Sequence, residues 1–114
     1  MATKRSAGKA LTNTLTDIYE VPDHKLAEWV LVYITNTSGS NGTYTLSYYD
    51  ASGNSGAGAT LNVLDGYTIS SKEFFQIGGK FNEFILMEEG DKIQASGTQN
   101  GTILVSVIEH NTNR

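Results

Sequence analysis

The sequence predicts an all-β protein, an antiparallel β-sandwich of about eight short strands with jelly-roll connections. Three observations lead to this prediction. Short segments that alternate apolar and polar residues, or are apolar throughout, recur along the chain with turn-forming residues between them. Glycine, serine, threonine and asparagine make up 44 of the 114 residues, which favours strands and turns. No long segment has the periodicity of an amphipathic helix.

The first two predicted strands differ in how they are covered. Asp17–Val21 alternates and is followed by Pro22, the only proline, so we expect a short strand near a sheet edge. Residues 29–34 are apolar at every position, which suits a strand covered by the opposing sheet on one face and by a neighbouring subunit or arm on the other. We therefore predict an oligomer interface on this strand, formed by Trp29, Leu31 and Tyr33.

Residues 43–49 form the clearest half-buried strand in the sequence. Their polar and apolar side chains alternate strictly until the last residue. Successive side chains on a strand point to opposite faces, so Tyr44, Leu46 and Tyr48 are expected in the core and the intervening threonines and serine outside.

Two glycine-containing turns are predicted in the second half of the chain. Asp65-Gly66 is typical of a hairpin turn between a strand near Val63 and another that begins at Tyr67. Gly90 lies in an acidic corner, where it supplies a backbone conformation that other residues adopt at a cost.

The strands that flank the acidic corner are expected to contribute Leu86 and Ile93 to the core. The remaining strands are predicted at residues 74–77, 81–87, 92–95 and 102–108.

The chain is predicted to form one domain, residues 17–114, preceded by an extended basic arm, residues 1–16. Residues 1–10 contain three cations and no acid, and the formal net charge of −4 leaves −7 on the rest. We expect the arm to dock on an acidic protein partner, and a frayed terminus is the alternative. The predicted docking residues are Lys4, Arg5, Lys9, Leu11 and Leu15.

An acidic body argues against nucleic-acid binding, because phosphates would be repelled over most of the surface. No apolar run has the length of a signal peptide or a membrane span, so we expect neither a membrane partner nor secretion.

The sequence offers few residues for chemistry. Cysteine is absent, and neither His24 nor His110 lies in a nucleophile or metal motif. Residues 50–54 resemble the start of a calcium loop, but the later ligand positions do not match. We therefore predict a protein that is not an enzyme and that binds no cofactor or metal.

Three acids, Glu88, Glu89 and Asp91, form the densest carboxylate cluster. A catalytic carboxylate pair usually lies in a cleft, whereas a hairpin corner is convex and gives its acids no burial, so we interpret this cluster as scaffold. Exposed tyrosines, Tyr49 and Tyr67 above all, suggest a sugar-binding platform as an alternative, although aromatic residues contribute more often to cores and interfaces.

Four short motifs carry a resemblance to a known family. They are Met1–Arg5, Asp17–Pro22 before an apolar strand, Tyr33–Thr37 and Glu88–Ser96. In combination they resemble small β-sandwich virion proteins of tailed bacteriophages. The turn after the proline is often closed by glycine in such sequences, whereas His24 stands in this turn here. Histidine tolerates a positive φ better than most residues do, so the turn remains possible.

The resemblance implies a non-enzymatic structural protein, commonly an oligomer and often a homotrimer, that decorates or cements the capsid. Its partners would be the major capsid protein or other virion proteins, and it would join the particle in the host cytoplasm. The alternative is an adaptor of the neck, tail or fibre, or a carbohydrate-binding module.

Overall fold

The computed structural model describes residues 2–78 and 85–112, and these residues form nine strands and one short 3-10 turn, Asn54–Gly56. The strands are β1 (Ala2–Leu11), β2 (Thr16–Glu20), β3 (Lys25–Asn36), β4 (Gly42–Asp50), β5 (Ala59–Ile69), β6 (Phe74–Gly78), β7 (Ile85–Met87), β8 (Lys92–Gly97) and β9 (Gly101–Asn111). Within the described part of the chain, no helix is long and apolar enough to cross a membrane.

The strands form two antiparallel sheets that pack face to face. The five-stranded sheet has the order β1-β9-β3-β6, and β7 pairs with β3 beyond the end of β6. The four-stranded sheet has the order β2-β8-β4-β5. This architecture confirms the predicted all-β sandwich, and the jelly-roll connectivity stays a prediction.

The core lies between the two sheets and is built from the inward residues of both. Its largest fully buried apolar side chains are Trp29, Tyr44, Ile34, Leu46, Met87 and Ile93. The alternation predicted for β4 is confirmed at Tyr44 and Leu46, which have no exposed surface, while the threonines beside them are half-buried.

Strand β3 alternates between the two faces, and in the single chain only its inner face is fully buried. Val32 and Ile34 are buried, whereas Leu31 and Tyr33 are half-buried on the outer face. A bulge at Val30 shifts the register between Trp29 and Leu31. Trp29 itself has no exposed surface, so of the three predicted interface residues this one belongs to the core.

The segment predicted as an arm lies in the sandwich as an edge strand over Ala2–Leu11. It pairs with β9 at ten positions, from Ala2 opposite His110 to Leu11 opposite Gly101. The side-chain pattern of this segment does not indicate the pairing, because among its described side chains only Leu11 is buried and Ala7 half-buried. Its stability comes mainly from the backbone ladder, which does not depend on side-chain type.

The prediction of a hairpin turn at Asp65-Gly66 is wrong. Both residues lie inside β5, where they face the single residue Thr45 of β4. Gly66 has a φ of 63° and its N–H donates to the Thr45 hydroxyl at 3.2 Å. The same dipeptide serves a bulge as well as a turn, because both need a residue with positive φ.

At the acidic corner, the prediction for Gly90 is confirmed by its φ of 86°. Ile93 is fully buried as expected. The prediction for Leu86 is wrong, because it is 56% exposed and its neighbour Met87 fills the core. Part of the strand predicted at residues 81–87 lies outside the described residues.

Candidate protein-binding surface

The outer face of the five-stranded sheet exposes a set of large apolar side chains. We call this surface the apolar face. Its large members are Leu31 and Tyr33 of β3, Phe74 of β6, Leu86 of β7, and Leu104 and Ile108 of β9.

Strand alternation places these side chains outside. In β9, Ile103, Val105 and Val107 are buried in the core, whereas Leu104 between them is 45% exposed. Ile108 is half-buried on the same side. The sequence already contained this pattern, because β9 is apolar on both of its sides.

The middle of the apolar face is a row of side chains across the sheet. Tyr33 lies opposite Leu104, and its ring stacks on that of Phe74 with centroids 4.9 Å apart and an interplanar angle of 21°. Phe74 is 54% exposed. On the other side of the row, the Cδ1 methyl of Leu104 lies 3.7 Å from the position that a Cβ on Gly8 would occupy. The leucine therefore leans over β1.

One end of the apolar face carries its charged side chains. Glu28 lies between Ile108 and Leu86 in the sheet register, and its Oε2 contacts Nε2 of His110. Lys4 lies opposite Ile108 on β1. The pairing of His110 with Glu28 explains the half-burial of both side chains.

The outer face of the four-stranded sheet has a different character. Its side chains are polar and bonded to one another: Gln94 donates to Asp17 at 2.8 Å, Lys92 lies 3.3 Å from the same carboxylate, and Ser47 donates to Asn62 at 2.8 Å. The Gln94 hydrogen bond, with help from Lys92, lowers the pKa of Asp17, and Asp17 in turn raises the pKa of Lys92.

The five predicted docking residues do not form one surface. Arg5 Nε donates to Glu109 at 3.1 Å, and Lys9 Nζ donates to the carbonyl of Asp17 at 3.0 Å. Leu11 is buried and Leu15 is 41% exposed. Within residues 2–78 and 85–112, Lys4 has no hydrogen-bond or ion-pair partner.

Glu109 is a buried anion that the sequence did not single out. It is 3% exposed and accepts from both Arg5 of β1 and the Tyr19 hydroxyl of β2. Burial, and then the bond to Glu109, raises the pKa of Tyr19. Because β1 and β2 belong to different sheets, Glu109 links the two sheets and uses the arm's arginine as its counter-ion.

Two of the three acids at the acidic corner, Asp91 and Glu89, have separate structural tasks. Asp91 is 1% exposed, which contradicts the expectation that a convex corner gives no burial. It accepts from the Tyr48 hydroxyl, from the N–H of Ala51 at 2.9 Å and from that of Glu88 at 2.8 Å. Burial, followed by the bond to Asp91, raises the pKa of Tyr48.

Glu89 stabilises the turn that contains His24, between β2 and β3. Its Oε1 accepts from the N–H of His24 at 2.8 Å, and His24 has a φ of 64°, so the prediction that histidine tolerates this turn is confirmed. Asp50 likewise accepts from the N–H and hydroxyl of Ser52, a local turn bond.

No group of three or more histidine and acidic side chains in the described residues could hold a metal ion. A depression of about 210 Å³ between the 11–13 and 97–100 segments contains no titratable side chain. A second, of about 270 Å³, lies among Lys25, Leu26, Glu88, Glu89 and Thr112 and is open to solvent.

The two tyrosines proposed for sugar binding lie apart from each other. Tyr49 is half-buried with the Lys92 amine 5.4 Å from its ring centroid. Tyr67 is 47% exposed, but its ring packs on Phe75 with centroids 5.0 Å apart. They do not form a shared platform.

Comparison with known proteins identifies a fold relative. No family model matches the chain, and no curated protein does. A solved structure described as "Bacillus endospore appendages form a novel family of disulfide-linked pili" aligns with a TM-score of 0.50 and 17% sequence identity. The alignment covers 99% of this chain and 88% of the other. At this identity the likeness shows a shared fold alone.

Proposed function

We propose that the protein is a non-enzymatic structural subunit of a tailed-phage virion, and that it binds the capsid surface as an oligomer to decorate or cement it. The general part of this proposal, a structural subunit that acts by protein–protein contact, rests on the geometry. The specific part, the capsid, rests on the motifs that resemble phage virion proteins.

The observation that supports the general part is the contrast between the two outer faces. The outer face of the four-stranded sheet carries polar side chains that bond to one another, and the exposed apolar residues of that sheet, Leu61 and Tyr67, lie on its edge strand β5. The five-stranded sheet exposes Phe74, Leu86 and Leu104 at 54%, 56% and 45%. Contiguous apolar surface of this kind marks an interaction site, since its burial contributes about 25 cal/mol per Å².

Several of the described acidic groups have structural tasks. Asp91 and Glu109 are buried and bonded to tyrosine and arginine, and Glu89 holds a turn. An enzyme needs an acid, base or nucleophile aimed into a cleft where substrate can lie. The arrangement of these groups supports binding over catalysis.

The solved structure of similar fold is described as a pilus of Bacillus endospores. Those pili are disulfide-linked, whereas this chain has no cysteine, so its own assembly would depend on noncovalent contacts. An adaptor of the neck, tail or fibre is the alternative role, because such a part needs the same kind of surface.

Particle binding tests the proposal. Purified full-length chain would be mixed with capsids that lack it, sedimented, and its occupancy measured on a gel over a concentration series. We expect saturable binding at a fixed ratio to the major capsid protein. Absence of the chain from purified virions by mass spectrometry, together with no binding to such capsids, would exclude the capsid role.

The contribution of the N-terminal cations needs a separate variant. Deleting residues 2–11 would remove strand β1 and expose β9, so loss of binding would have two explanations. Lys4→Glu changes an exposed side chain that has no partner within the described residues. Weaker capsid binding by this variant supports a role for Lys4, and unchanged occupancy removes that role.

A further inference from the structure

We infer that the apolar face is the surface on which a second copy of this chain docks, sheet against sheet, around a two-fold axis that runs along the strands. This inference rests on the proposed function only in treating the chain as a subunit that binds proteins. The inferred dimer is the same whether or not the chain also binds a capsid.

The size of the apolar face matches that of a stable interface. Strands β3 and β9 have 12 and 11 residues, and a strand rises roughly 3.3 Å per residue, so the face is about 36 Å long. Four strand widths of about 4.8 Å make it about 19 Å wide. The product, about 700 Å², is the footprint of the whole outer side of the sheet, and it is of the same order as the ~800 Å² per partner of a standard protein–protein interface.

The shape of the apolar face is complementary to itself. Three outward positions on β1 hold small, exposed residues, Ser6, Gly8 and Ala10, and a fourth, at one end of the strand, holds Lys4. The opposite side of the sheet holds the large side chains of Phe74 and Leu86. The Ser6 hydroxyl lies 3.1 Å from that of Ser106, which is on the same side of β9 as Leu104, so these β1 side chains belong to the apolar face. A two-fold axis along the strands, between β9 and β3, places β1 of each copy, with its small side chains, against the side of the other copy that carries Phe74 and Leu86.

The charges on the apolar face fit the same axis. Every copy carries a net −4, so copies repel unless they meet through a surface with little net charge. The axis exchanges β3 with β9, which sets Glu28 of one copy against the β9 strand that bears His110 in the other. The two Glu28 side chains therefore do not face each other across the interface, and a repulsive contact between like charges is avoided.

Sheet packing explains why a second copy suits this surface better than an unrelated partner. Two β-sheet faces pack about 10 Å apart with their side chains interdigitated when their twists match, and two copies have the same twist by construction. Two-fold pairing gives a dimer, in contrast to the trimer that the family resemblance implies.

Sedimentation equilibrium of the full chain and three variants tests this inference. Leu104→Glu puts a charge at the centre of the apolar face. Ala10→Arg puts a large charged side chain among the small residues of β1. Leu61→Glu is the matched control, because Leu61 is a similarly exposed leucine on β5 of the other sheet. Circular dichroism and the fluorescence of the buried Trp29 establish that each variant is folded.

We expect the wild-type chain and Leu61→Glu to form dimers, and Leu104→Glu to weaken dimerisation at least about 100-fold, because a carboxylate in a closed apolar interface is left unpaired. Ala10→Arg is expected to weaken it also, since β1 faces the partner's Phe74. A wild-type chain that stays monomeric at about 100 µM, a trimer, or a folded Leu104→Glu that still dimerises would each overturn the inference.

The capsid-binding experiment separates this inference from the proposed function. A monomeric chain that binds capsids through the apolar face would refute self-docking and leave the function in place. A wild-type dimer that is dissociated by Leu104→Glu but does not bind capsids would support self-docking and refute the capsid role.

Discussion

Replacement of Asp91 by alanine is expected to destabilise the protein strongly. The carboxylate is 1% exposed and accepts three hydrogen bonds, from the Tyr48 hydroxyl and from two backbone N–H groups, those of Ala51 and Glu88. Alanine would leave all three donors without this acceptor. Each unsatisfied buried donor costs about 1–3 kcal/mol, and because water can reach some of them we expect a total loss of about 3–5 kcal/mol. A domain of this kind is stable by about 5–15 kcal/mol, so the variant would be marginal.

Urea denaturation followed by tryptophan fluorescence measures this loss. Trp29 is the only tryptophan and is fully buried, so its emission reports on global unfolding. Glu89→Gln is the matched control at the same corner. In the wild-type chain, Oε1 of Glu89 accepts from the His24 N–H at 2.8 Å, and the side-chain oxygen of glutamine can accept the same hydrogen bond. We therefore expect the free energy of unfolding to change by less than about 0.5 kcal/mol.

The reasoning is refuted if Asp91→Ala unfolds within about 0.5 kcal/mol of the wild type, a change typical of surface positions. A double-mutant cycle with Tyr48→Phe adds a second check. The two residues share a buried hydrogen bond, so their effects should be clearly non-additive, and strict additivity would show that the bond contributes nothing.

Three further predictions concern packing and pH. Ile93→Asp should abolish cooperative unfolding and near-UV circular dichroism, because an unpaired charge would replace a fully buried side chain; a native spectrum would contradict this. Gly97→Ala should cost about 1–3 kcal/mol in chemical denaturation, since its Cβ would lie 2.4 Å from the ring of Tyr44, and an unchanged midpoint would show that the ring moves freely. Asp17 has a pKa below its unfolded value, chiefly because Gln94 donates to it, so its stabilising contribution is complete above the unfolded pKa and is lost as the pH falls through the folded pKa. Asp17→Asn should flatten the acid side of a stability-versus-pH curve, and an identical curve would argue against this linkage.

Local patterns were sufficient to predict the parts of the fold that depend on alternation. The inward and outward sides of β4 follow from the period of a strand, and Gly90 and His24 follow from the backbone that their turns require. Each of these properties depends on a few neighbouring residues. The sandwich architecture then follows from many such strands, since each has a face that must be buried.

Pairing across the chain could not be read in the same way. Strand β1 is held by β9, about one hundred residues away, through backbone bonds that leave no trace in its side chains. Asp65-Gly66 fits a turn and a bulge equally well until the partner strand is known. Asp91 and Glu109 look like surface acids in the sequence because their tyrosine partners lie 43 and 90 positions away.

The candidate surface was only partly predictable for a related reason. Leu31 and Tyr33 were recognised because β3 is apolar on both sides, but Trp29 was assigned to the same surface although the alternation places it in the core. Phe74, Leu86 and Leu104 join them only after β6, β7 and β9 have taken their places beside β3. A surface of this kind is a property of the sheet, and no single segment contains it.

A cryo-EM map of virions purified from the source that encodes this chain tests the proposed function most directly. We expect density for the sandwich on the outer surface of the capsid, with Leu104 and Phe74 of the apolar face covered by protein. A map that contains no such density, or that shows the sandwich with this face open to solvent at every site, would contradict the proposal.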